Sequence, residues 1–146
     1  MFLEQFFENS VILYPNAIAL EQGEIKYTYT EVNRIANQLA NYLKNKGIGP
    51  EDKVVILLPR SMQVPIMMLG VLKAGAAYIP LDPEIPAERV NFIMGDADAK
   101  LLITSDLILE RIGLQLNHHP VFNLDHQFLK LNNYPDLKPV GTNRRP

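Results

Sequence analysis

The sequence has no cysteine, which excludes disulfides, thiolate catalysis and cysteine-based metal sites and fits a reducing compartment. It has no strong excess of one charge either. Fourteen Lys and Arg against sixteen Asp and Glu leave a net charge of -2, and the basic residues do not gather in one stretch. A nucleic-acid partner needs a basic field to neutralise phosphates, so that class is set aside. Long apolar runs are missing: the longest, at 64–72, is far too short to cross a bilayer, and Met1-Phe2-Leu3-Glu4-Gln5 lacks the positive start of a signal peptide. A cytoplasmic protein without a membrane partner is expected. The eight glycines are scattered, and no glycine-rich run follows a strand, so no phosphate cradle is encoded. Gly47-Ile48-Gly49 follows a helix and precedes Pro50, which marks a helix stop; a dinucleotide loop would follow a strand and open a helix.

What remains is an ordinary folded composition, 47% hydrophobic and 21% charged over 146 residues, enough for one domain with a sizeable core. Phe2, Leu3, Phe6 and Phe7 are expected on one side of a short helix, with Glu4 and Glu8 on the other. The runs 17–22 and 25–29 flank Gly23-Glu24 and predict a β-hairpin with a type II′ turn. Thr30 is the expected cap of a helix on which Val32, Ile35, Ala36, Leu39 and Leu43 recur at helical spacing, stopped by Lys44, Lys46 and Gly47. Val54-Val55-Ile56-Leu57-Leu58 reads as a buried strand closed by Pro59. Ser61 is the expected cap of an apolar helix in which Met67 and Met68 fill core space.

That helix ends in Leu72-Lys73-Ala74-Gly75, where Gly75 suits the left-handed stop and Lys73 sits in the favourable last turn. Ala76-Ala77-Tyr78-Ile79-Pro80-Leu81 predicts a strand buried on both faces, broken by Asp82-Pro83. Pro86 then starts a helix reaching Gly95. Strands at 100–104 and 121–124 bracket a helix capped by Ser105, with Gly113 near its end. The alternation predicts an α/β domain: a mainly parallel sheet flanked by helices, preceded by the hairpin.

The stretch from Leu72 through Asp82-Pro83 to Arg89 resembles a core motif of the adenylate-forming (AMP-binding) enzymes, specifically the amino-acid adenylation domains of nonribosomal peptide synthetases. Tyr27-Thr28-Tyr29-Thr30-Glu31-Val32, continued by Asn33-Arg34-Ile35-Ala36-Asn37-Gln38-Leu39-Ala40, resembles an earlier motif of that family, with Val32 where Leu is usual. The resemblance runs from about Met1 to Leu124. It implies the opening part of the large N-terminal domain of such enzymes, with residues 1–125 as that portion and 126–146 as a polar, linker-like tail that is not docked. The wording Pro80-Leu81-Asp82-Pro83 favours amino-acid adenylation over acyl- or aryl-CoA ligases.

In the intact family, ATP and magnesium convert an amino acid to an aminoacyl adenylate, which is loaded onto the phosphopantetheine thiol of a carrier protein. The phosphate loop and catalytic lysine that this needs are not in the sequence, so no catalytic, cofactor-binding or metal-ligating residue is assigned. The expectation is a truncated, non-catalytic segment whose partner is the rest of the domain or a complementary polypeptide. The other readings are a non-catalytic interaction module that complements another polypeptide, or a fragment of an acyl- or aryl-CoA ligase. His118, His119 and His126 lack the spacing of metal ligands. Ser61 and Ser105 read as caps, Asp82 as a loop acceptor, and Gly75-Ala76-Ala77 as a helix end. Arg60, Lys73 and Arg89 are the cations with which a search for a nucleotide site would begin, though surface arginine is usually solvated or paired.

Overall fold

The computed structural model describes residues 3–113 and 119–139, the side chain of Leu3 excepted. Helix α1 (Leu3–Leu13) leads into strands β1 (Ile18–Gln22) and β2 (Ile25–Thr28), an antiparallel pair, and then into helix α2 (Tyr29–Asn45). The remaining elements alternate: β3 (Lys53–Ile56), α3 (Gln63–Lys73), β4 (Ala77–Pro80), α4 (Ala87–Asp96), β5 (Leu101–Thr104), α5 (Asp106–Ile112), β6 (Val121–Asn123) and α6 (Leu124–Gln127). A 3-10 helix, Leu129–Asn133, follows. Strands β3 to β6 form one parallel sheet in the order β4-β3-β5-β6, with Val54 beside Tyr78 on one side and Leu101 on the other.

Period-two alternation divides the sheet between two cores. Val54, Ile56, Ile103 and Phe122 face α2 and α3, meeting Leu39, Leu43, Ile66 and Met67. Val55, Leu57 and Leu102 face α4 and α5, meeting Val90, Met94, Ile108 and Ile112. All four expected strands and the hairpin are present. Gly23 opens the hairpin turn at φ +60° and Gly75 closes α3 at φ +85°, as a II′ turn and a left-handed helix stop require.

Several local expectations are corrected. The cap of α2 is Thr28, two residues earlier than expected: Thr28 Oγ1 accepts from Glu31 N at 3.1 Å and Thr28 N donates to Glu31 Oε1 at 3.0 Å, a reciprocal capping box. Thr30 lies inside the helix and donates its hydroxyl to Pro15 O. Ser61 caps nothing; α3 begins after Met62, whose N–H donates to Gln22 Oε1 at 2.9 Å and ties the hairpin to the sheet. Strand β4 is an edge strand, so Tyr78 and Ile79 are only half-buried, where burial on both faces was expected. Helix α1 is rotated from the expected placement: Phe7 still packs against the core, but Glu4 is buried and Phe6 exposed, because Glu8 reaches a buried lysine on α3.

The expected undocked tail is docked as far as Pro139, the last described residue. Leu131 is buried, Tyr134 packs edge-on against Tyr42, Asn37 Nδ2 donates to Asp136 O, and Asn41 Nδ2 donates to Pro135 O and Leu137 O.

The capping box gives a test by pH. Thr28→Ala is expected to lower stability at neutral pH by about 1 kcal/mol. The backbone N–H of Thr28, then its hydroxyl, hold the Glu31 carboxyl below its ordinary value. A depressed folded pKa stabilises above the unfolded pKa, and that contribution is lost as pH falls through the folded value. The deficit of Glu31→Gln in urea midpoints is therefore expected at neutral pH and should narrow below about pH 4, the ordinary glutamate range. A deficit independent of pH would contradict the charged box.

Candidate functional site

In an open parallel sheet, ligands bind outside the carboxyl ends of the strands, where the strand order reverses. Here the chain runs from β3 to β4 on one side and then crosses to β5 on the other, so the reversal lies beyond the carboxyl ends of β3 and β5. A cleft of about 810 Å³ sits beside it, bounded by Pro59 and Arg60 after β3, Asp82, Pro83 and Glu84 after β4, and α5. Proline at 59 and 83 supplies no backbone N–H to this wall. Asp82 Oδ1 accepts from Glu84 N at 2.8 Å, as the sequence suggests for a loop acceptor. The Arg111 guanidinium donates to Ile85 O and Pro83 O and so fixes the loop.

Three carboxylates, Asp82, Glu84 and Glu110, line the cleft beside Arg60 and Arg111. A triphosphate needs convergent amide donors and positive charge. The described residues do not fit one. Nor do any three acidic or histidine side chains among the described residues converge as a metal site.

A second polar cluster joins the carboxyl ends of β5 and β6. Asp106 Oδ1 accepts from Asn123 Nδ2 at 2.8 Å and lies 2.9 Å from His126 Nε2. The Asn123 hydrogen bond first, then that of His126, holds the Asp106 carboxyl below the usual range. Asp125 Oδ2 accepts the N–H of Asp106, the first residue of α5, at 2.8 Å, whereas Ser105, the expected cap, stands at the cap position with no side-chain bond to the helix. These bonds close on one another and tie two strand–helix junctions together.

The cations singled out in the sequence do not converge. Arg60 lines the cleft, Arg89 lies over the Phe92 ring at 5.2 Å, and Lys73 is fully buried, 3.2 Å from Glu8 Oε1. Burial pulls the Lys73 ammonium down from its ordinary pKa, with Glu8 opposing that effect. His118 lies outside the described residues. No local pattern pairs Glu8 with Lys73; the one visible signal is a lysine inside Gly70-Val71-Leu72-Lys73-Ala74. An apolar groove of about 450 Å³ also runs between α1, the hairpin and α3, walled by Phe7, Leu20, Tyr29, Met68, Leu72 and Tyr78.

The AMP-binding enzyme family matches residues 7–138. The chain is 40% identical over 126 residues to a linear gramicidin synthase of Brevibacillus parabrevis, covering 86% of this chain and 2% of that protein. It is 47% identical over 106 residues to a dimodular nonribosomal peptide synthase of Bacillus subtilis (strain 168), covering 73% of this chain and 4% of that protein. Among solved structures, a Mycobacterium tuberculosis fatty acyl CoA synthetase superposes with a TM-score of 0.85 at 22% identity, over 94% of this chain and 29% of that one. The chain thus spans a small part of the length of each of these proteins.

Proposed function

Because the chain belongs to the AMP-binding enzyme family, we propose that it forms the opening part of an amino-acid adenylation domain of the nonribosomal peptide synthetase type. The observation that carries this is the 40% and 47% identity to peptide synthetases across most of the chain. Such a domain joins an amino-acid carboxylate to the α-phosphate of ATP with release of pyrophosphate, and the acyl group then passes to a carrier-protein phosphopantetheine thiol with release of AMP. The role of these 146 residues is architectural. They supply one parallel sheet with helices on both faces, while ATP and magnesium are held by residues beyond this stretch. The partners are the remainder of the domain and, through it, a carrier protein, in the cytoplasm. Among the described residues, no helix is long and apolar enough to cross a membrane.

The reading is supported by the uncovered surface. Among the described residues, strands β4 and β6 are the edges of the parallel sheet, and Phe6, Ile12, Leu13 and Tyr14, on and just after α1, are each exposed. Open edges and exposed apolar clusters call for a covering element. The same features favour the second reading, a module that pairs with a separate polypeptide without catalysis.

Amino-acid-dependent exchange of pyrophosphate into ATP separates them. The purified 146-residue chain is expected to give no exchange above background with any proteinogenic amino acid, because positioning and charge stabilisation are missing. Adding a polypeptide that carries the rest of a peptide-synthetase adenylation domain is expected to restore it. Exchange by the chain alone would overturn the architectural role; binding of the complement without exchange would favour the interaction module.

A further inference from the structure

Lys73 is among the largest fully buried side chains of the described residues, and it carries a charge into the core. Its Nζ lies 3.2 Å from Glu8 Oε1 on α1. The same oxygen lies 3.3 Å from Lys138 Nζ, one residue before the described chain ends. Glu8 is about one-quarter exposed, at 28%, and Lys138 is 38% exposed, so the cluster grades from a dry interior to solvent. Glu4, one turn before Glu8, is buried and adds a second negative charge from α1. A buried ammonium stripped of its counter-ion is costly, which makes the docking of α1 conditional on Glu8. Three segments far apart in sequence thus meet on one carboxylate.

We propose that Glu8 is a shared counter-ion that latches two segments, helix α1 and the stretch at 134–139, onto the buried Lys73, so that the two dock and release together. Lys73 sits at the end of α3, two residues before the Gly75 stop, so the latch holds both segments at a point continuous with the sheet. The segment at 134–139 is held to α2 as well, by Asn37 and Asn41, and its loosening through Glu8 is therefore graded. The groups facing Glu8 are Lys73 from α3, Lys138 from the exit segment and Glu4 from its own helix.

Hydrogen exchange on the full 146-residue chain tests the latch. Glu8→Gln keeps the shape and removes the charge; it is expected to speed exchange at least about tenfold both in α1 and at 129–139, since it leaves Lys73 buried without its counter-ion. Adding Lys73→Met takes away the buried charge while keeping the apolar stem, and should bring α1 exchange most of the way back. Lys138→Ala, a substitution of a solvent-reached side chain, is expected to speed exchange in α1 by about twofold to fivefold, the scale of one partly exposed pair. Acceleration by Glu8→Gln confined to α1 would overturn the proposal, as would failure of Lys73→Met to rescue. If Glu8→Gln unfolds the chain outright, Lys138→Ala decides: unchanged exchange in α1 means the two segments are not coupled.

Discussion

Leu57→Ala is expected to destabilise the chain by about 3 to 5 kcal/mol, the upper part of the range for a buried leucine. Leu57 is completely buried and points from the sheet into the layer of Val90, Met94, Leu102, Ile108 and Ile112. Its backbone is held too: Leu57 N donates to Ile103 O at 2.9 Å, so the strand cannot shift to fill the cavity. Leu81, at the matching end of the neighbouring strand, is only half-buried, because β4 is an edge of the sheet among the described residues. Leu81→Ala should therefore cost about 1 kcal/mol, the transfer term for the part already removed from water, with little cavity. From sequence alone the two leucines are equivalent members of buried strands. A domain of this size has about 5 to 15 kcal/mol in total, so Leu57→Ala removes a large share of it. The check is the urea midpoint at constant slope; equal losses at the two positions would contradict the edge placement of β4.

Gly70→Val is expected to cost about 3 kcal/mol or more, because it separates the two helices that pack most closely. A Cβ at Gly70 would lie 2.5 Å from Leu39 Cδ2, 2.9 Å from Leu39 Cβ and 3.0 Å from Leu39 Cγ. Leu39 is fully buried beneath α3, and its Cβ is fixed to the backbone of α2, so a rotamer change relieves only part of the clash. Glycine in a helix costs roughly 1 kcal/mol relative to alanine, so a free helix would gain from replacing it. Here close packing outweighs that gain, and even Gly70→Ala should lose stability, on the order of 1 to 2 kcal/mol once propensity is set against overpacking. A thermodynamic cycle checks the cause. Leu39→Ala removes the colliding atoms, so the double variant Leu39→Ala with Gly70→Val should be less destabilised than the sum of the two singles. Additive losses would mean that Gly70 matters for another reason.

Both expectations turn on where an element sits among its neighbours, which divides what could be read from the chain from what could not. The layer order, the parallel sheet, the hairpin and the stop at Gly75 were legible, since each rests on periodic burial, left-handed turn residues or proline within a few positions. The strand at 101–104 and the helix face of Val32, Ile35, Ala36, Leu39 and Leu43 came out as the spacing predicts. The cap of α2 was misplaced because Thr28 and Thr30 are equally good caps by composition. The pairing of β2 through Thr28 ends the strand there, and Glu31 falls three residues on.

The candidate site was less legible still. The cleft beyond β3 and β4 depends on strand order, which no local pattern encodes, and its carboxylates and its two arginines come from three separate segments. The docked tail and the Glu8 latch have the same origin. Asn37 reaches Asp136 across 99 positions, and Glu8, early in the chain, meets Lys73 in its middle and Lys138 late in it. Read locally, Glu8 and Asn37 are polar residues with no visible partner, and the segment after Leu124 is polar and proline-containing. By itself the sequence determined the kinds of elements, their order and the family resemblance, because apolar periodicity and backbone stereochemistry act between near neighbours. Only the tertiary structure decided which strand is an edge, which side of α1 turns inward and what holds the tail, because those depend on the partners that desolvated charges and unpaired amides find at long range.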